Sequence, residues 1–233
     1  YFPDFHKDAN DEHRDIAEAH PRFIEILLGS ILIPIVLALT VVLLIWSVKT
    51  VAGGKRADFN TLYGIAAAYT LGGIWLHIMV SRYENGIAKF YKKVYPIAAA
   101  VILVFEAWAL VVQLSDTGLK MTEYAFILLW LLAAISVALL ALRHNRSHRI
   151  IALAASALAI VSVLPVIGYN ALPVTAQSNR LEELLVSQGM LAEGNIVHAQ
   201  SLPDIEVRRG ITDAAEYLSY ASDAKLPAWF PHD

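Results

Sequence analysis

In the stretch FEAWALVVQLSDTGLKMTEY, Phe105 to Tyr124, a glutamate stands inside an apolar run that ends in a short polar knot. Gln113 comes two helical turns after Glu106 and so shares its face, and Asp116 lies near that direction past the helix end. Counted at about 1.5 Å per residue, Tyr69 and Thr70 of the preceding apolar run fall at the depth of Glu106, while His77 lies roughly 10 Å shallower. A carboxylate at mid-depth in lipid is costly when ionised; it must pair, stay protonated or face water. Neither Lys nor Arg stands at mid-depth in any apolar run, so protonation or a hydroxyl partner is the expected local solution. Glu106, Gln113, Asp116, Tyr69, Thr70 and His77 form the candidate polar intramembrane site. Three roles are open to it: a polar path opening at one end, a buried structural hydrogen bond, or a contact with another subunit or an upstream half.

Other chemistry finds little footing. There are no cysteines, which excludes disulfides, thiolate catalysis and cysteine-ligated metals. No serine has a G-x-S-x-G setting, and the glycines of VAGGK and TLGGI lack phosphate-loop spacing. Gly72 and Gly73 instead suit close packing between helices. His144 and His148 have the i,i+4 spacing of a helical metal pair, but arginines surround them and no carboxylate is near. The expectation is no catalytic residue, no metal and no cofactor. Asp116, as a loop acid, leaves open a lipid-modifying or lipid-linked sugar transfer enzyme.

The elements that position these residues follow from composition. Of 233 residues, 57% are hydrophobic and only 17% charged, too apolar for a soluble surface. The net charge of −3 gives no attraction to nucleic acid. Five apolar stretches of membrane-spanning length account for the excess: Ile26–Val48, Leu62–Val80, Tyr95–Leu114, Met121–Leu142 and Arg149–Tyr169. Pro34 and Pro165 interrupt the first and fifth and predict kinks. Ten basic residues flank one side of these spans and five the other, which places the N-terminus and the RHNRSHR turn in the cytoplasm and the C-terminal tail outside. In SRYENGIAKFYKKV, Ser81 to Val94, the residues Tyr83, Phe90, Tyr91 and Lys92 suit the headgroup region.

The predicted organisation is a soluble N-terminal segment, 1–22, continuing from a missing upstream part, then a five-span bundle, 23–170, and a soluble, mostly helical tail, 171–233. In the tail, AQSNRLEELLVSQGML reads as an amphipathic helix with Leu181, Leu184, Leu185 and Val186 apolar. A short extended or turn segment, EGNIVHAQS, precedes a second helix with Ser201 or Asp204 as its cap and Val207, Ile211, Ala214, Ala215 and Leu218 at helical spacing. Nine acidic and four basic residues from Ala171 onward favour neither an anionic lipid surface nor nucleic acid. LPAWF, with Trp229 and Phe230, reads as a docking point or a membrane-edge anchor.

GLKMTEY at Gly118–Tyr124 and GYNALPVTAQSNRLEELLVSQGMLAEGNIV at Gly168–Val197 carry a resemblance. The chain resembles the bacterial membrane family called domain of unknown function 4153. There a late span ends in a short turn, here Gly118, Leu119, Thr122 and Tyr124, and a proline precedes a helix, here Pro173 with Gln177, Arg180 and Leu181. Leu185, Gly189, Met190 and Leu191 match the closing pattern, and Glu216–Leu218 resembles the terminal helix. Lys120 and Met121 depart by separating the turn from Thr122, and Gln113 stands near where the pattern has an arginine. The resemblance implies the C-terminal half of a larger protein from about Phe23 onward and carries no established chemistry. Together these readings lead to an all-α polytopic bundle in the bacterial cytoplasmic membrane. The expected function is a nonenzymatic component that assembles with partners or senses the envelope, its partners being membrane lipids and a protein or a second copy. A secondary transporter half built on Glu106 is the alternative, followed by the lipid enzyme.

Overall fold

The computed structural model describes residues 21–53, 59–81, 83–142, 147–199, 201–221 and 226–230, with the side chains of 59–62 and 147 left aside. Residues 1–20 of the predicted N-terminal segment and the RHNR part of the basic turn lie outside the described residues, while Arg22 already opens the first helix. Five helices form the bundle: α1 (Arg22–Ala52), α2 (Phe59–Met79), α3 (Gly86–Thr117), α4 (Met121–Ala141) and α5 (Ser147–Ser162). The tail adds α6 (Ala171–Ser187), a hairpin of β1 (Leu191–Ala192) and β2 (Asn195–Ile196), and α7 (Ile205–Ser219). The expected helical bundle is present, with one correction to the all-α class: the short extended or turn segment after α6 closes as a two-stranded antiparallel hairpin, Leu191 opposite Ile196. Glu193 and Gly194 at its tip take positive φ.

Three helices, α1, α3 and α4, are long and apolar enough to cross a membrane among the described residues, a multi-pass architecture. α3 has 32 residues, about 48 Å at 1.5 Å per residue, and therefore overruns a core of roughly 30 Å. It starts at Gly86, where the Asn85 side chain accepts from the Ala88 N–H at 2.8 Å, so most of the expected headgroup segment is already helix. Tyr91 is not at a headgroup surface. It is fully buried, and its hydroxyl donates to the Gly73 carbonyl at 2.7 Å. Lys92 closes the α2–α3 connection by donating to the carbonyls of Ser81 and Tyr83 at 2.9 and 2.8 Å.

The two prolines act differently from simple kinks. Pro34 follows a π-helical turn, Leu27–Leu32, inside α1, where wider winding accommodates a residue with no N–H to donate. Pro165 lies beyond Ser162, where α5 has already ended in turns, so the fifth predicted span is shorter than expected. The main core joins α1 to α4 through Leu28, Ile33, Tyr69, Tyr91, Tyr95, Ile102 and Val137. On α3, Ile97, Val101, Val104, Trp108 and Val111 recur at helical spacing on the exposed side, a stripe suited to lipid contact.

Candidate functional site

The inner polar group is built where α1, α2 and α3 meet. Thr70 Oγ1 donates to Glu106 Oε1 at 3.5 Å, a long bond, and Glu106 is 2% exposed. Next to Thr70, the Tyr69 hydroxyl pairs with Thr40 Oγ1 at 2.9 Å, and the Tyr95 hydroxyl donates to the Thr70 carbonyl at 2.9 Å. His77 Nε2 lies 3.3 Å from the Lys92 carbonyl, with its ring beside those of Tyr91 and Tyr95. Gly73 makes this crossing possible, because a Cβ there would overlap the Tyr95 ring. The expected hydroxyl partner of Glu106 is thus Thr70, brought to its level by depth as the spacing predicts.

Gln113 belongs to a different group. Its Nε2 donates to Glu123 Oε1 at 3.0 Å and to Thr117 Oγ1 at 3.1 Å. Between Glu106 and Gln113, the α3 residues Ala109 and Leu110 are buried against Ala66, Phe105 and Phe126. Glu106 and Gln113 therefore sit in two polar groups separated by an apolar layer. Glu123, absent from the expected site, is 3% exposed, and its Oε2 is buried without a hydrogen bond. Tyr217 of α7 approaches the same place: burial pushes its hydroxyl pKa above the ordinary value of 10.0, the Glu123 carboxylate adds to the rise, and a hydrogen bond with the Met121 backbone opposes it.

Asp116 ends α3 at a third group, which ties the tail to the bundle. Arg180 of α6 donates from Nη2 to the Asp116 carbonyl and from Nη1 to the Thr117 carbonyl, both at 2.7 Å. Gln177, one turn earlier, donates to the carbonyls of Thr117 and Leu119 at 2.8 and 3.1 Å. The last carbonyls of a helix lack intrahelical partners and carry the negative end of its dipole, so a guanidinium there is favoured twice. Asp213 of α7 completes the latch: it accepts from Arg180 at 3.2 Å and from Lys120 at 2.6 Å. Gly118 takes φ +72°, and a Cβ there would stand 2.9 Å from Arg180 Cδ and Gln177 Nε2, so both conformation and space call for glycine.

Below the latch the tail has its own core of Val174, Leu181, Leu185, Ala214, Leu218 and Phe230. The Trp229–Phe230 pair docks here. Val186, expected on the apolar face of α6, is exposed. Asp204 stands at the N-cap of α7 without a side-chain capping bond. Among the described residues no group of three or more His, Asp or Glu is placed to hold a metal ion. Sequence reasoning named Gln177 and Arg180 only as parts of a pattern and missed Glu123 and Asp213 altogether. Lys120 and Asp213 are 93 residues apart, a separation at which spacing carries no signal. Compared with family models, with curated proteins and with solved structures, the chain matches none.

Proposed function

We propose that this chain is a nonenzymatic component of a bacterial envelope membrane, crossing five times, whose tail assembles with a protein partner outside the cytoplasm. In this reading it forms the C-terminal half of a longer protein of the domain of unknown function 4153 family. One observation carries the assembly role: the latched tail displays large apolar side chains, with Leu202 79%, Ile205 55% and Tyr220 82% exposed. Leu202 and Ile205 stand at the start of α7 and Tyr220 just past its end, so a partner lying along the tail would cover both apolar ends. The polar side chains of the bundle support the noncatalytic part, because those of Thr40, Tyr69, Thr70, Tyr95 and Gln113 bond one element to another. The fourth and fifth crossings rest on α2, with 21 residues, and on the shorter α5, with 16.

Native mass spectrometry of the full-length protein from native membranes tests the reading, with Leu202→Glu and Tyr220→Glu as variants at exposed positions. A reproducible protein complex that both variants weaken is the expected result. A monomer in wild type contradicts assembly. The buried Glu106 favours a second reading, a secondary transporter half; proton-coupled uptake into vesicles that Glu106→Gln abolishes would establish it instead.

A further inference from the structure

Between α6, the hairpin, α7 and residues 226–230, the tail forms an open groove of about 690 Å³. This falls within the roughly 300–1,000 Å³ of small-ligand sites, which are mostly apolar with a few placed polar groups. Its walls include Leu185, Met190, Ile196, Ile211, Trp229 and Phe230. Thr212, Glu216 and Ser219 line it from α7 at i, i+4 and i+7, which sets them along one edge. A shallower concavity of about 370 Å³ begins at that edge, sharing Thr212 and Glu216 and adding Arg208 and Arg209. Asp213 also borders it, but its carboxylate is held by Lys120 and Arg180. Two guanidiniums therefore face one remaining carboxylate, Glu216, and neither is in an ion pair among the described residues. An apolar groove continuing onto a cationic shelf has the division of an amphiphile. The latch also holds α7 against the α3–α4 turn, at the end of two membrane-length helices, where amphiphiles concentrate.

We propose that the tail binds a single-chain anionic amphiphile, its acyl chain in the groove beside Met190 and Trp229 and its head on Arg208 and Arg209. This goes beyond the assembly role and stands without it. The full chain in phosphatidylcholine vesicles is exposed to palmitate carrying a diazirine in its acyl chain, illuminated, and mapped by peptide mass spectrometry. The expected result is labelling around Met190, Ile196 or Trp229, several-fold above that from the uncharged methyl ester. Ala215→Trp fills the groove and removes tail labelling while labelling of the membrane helices persists. Arg208→Gln with Arg209→Gln, at exposed positions that leave the fold intact, erases the preference for the anion, and Glu216→Gln increases it. A diazirine lysophosphatidate in parallel separates a phosphate head from a carboxylate by which probe labels more. Labels confined to the membrane helices, or equal tail labelling by acid and ester, overturn the proposal. Tail labelling that survives Ala215→Trp also overturns it. Labelling as expected from a protein that shows no partner by native mass spectrometry would fail the assembly role alone.

Discussion

The Arg180 guanidinium joins three elements, donating to two carbonyls at the end of α3 and to Asp213 of α7. A planar fork can serve these directions together, whereas an ammonium is a point charge on a shorter reach. Arg180→Ala should cost about 1.5–3 kcal/mol of tail docking, the range for hydrogen bonds involving a charged group. Arg180→Lys should recover only part of it, read as the rate of proteolytic cleavage within the tail. Gln113→Leu leaves the Glu123 carboxyl without its donor and should destabilise by about 1–3 kcal/mol in thermal unfolding, more than Glu123→Gln does. Tyr217 supplies a pH dependence. Its pKa is raised in the fold by burial, then by Glu123, so above the ordinary value of 10.0 the unfolded tail loses its proton first. Stability is full below that value and falls as pH rises through and beyond it. Tyr217→Phe should remove this alkaline loss, measured as the pH dependence of the unfolding midpoint.

At the scale of elements, two adjacent glycines give a sharp contrast. A Cβ on Gly73 would overlap the Tyr95 ring, whereas one on Gly72 meets nothing within 4 Å. Gly73→Ala should therefore lower stability by about 1–3 kcal/mol through overpacking of α2 on α3. Gly72→Ala should be neutral or slightly favourable in the same detergent unfolding assay, since alanine is the better helix former. Sequence alone marked both glycines as packing residues but could not rank them, because only the face turned to Tyr95 separates them. The same limit applies to Val186, apolar by type and exposed in place, and to Tyr91, read as a headgroup residue and found in the core. The length of the apolar runs located α3 and α4, and helical periodicity located α6 and α7 in the tail. It could not foresee the π-helical turn before Pro34, which rests on backbone winding rather than on side-chain pattern.

For the whole molecule, hydropathy was enough to recognise a multi-pass bundle, and depth counting was enough to place Thr70 beside Glu106. The latch was illegible because its members come from α3, the α3–α4 turn, α6 and α7, and only folding brings them together. That latch fixes a topological relation: the tail shares one end of the bundle with the α3–α4 turn, and α3 separates that end from the α2–α3 connection. Because the chain has no cysteines, single substitutions report cleanly. Ser81→Cys and Ser187→Cys should react with a membrane-impermeant maleimide from opposite sides of sealed vesicles. Arg180, Gln177, Lys120 and Asp213 should make the tail and the bundle end move as one body. Electron–electron double resonance between spin labels at Ser115→Cys and Ser187→Cys, in reconstituted full-length protein with any upstream cysteine replaced by serine, tests this. A single narrow distance distribution that broadens with Arg180→Ala is the predicted result. A distribution already broad in the parent, or unchanged by Arg180→Ala, would contradict it.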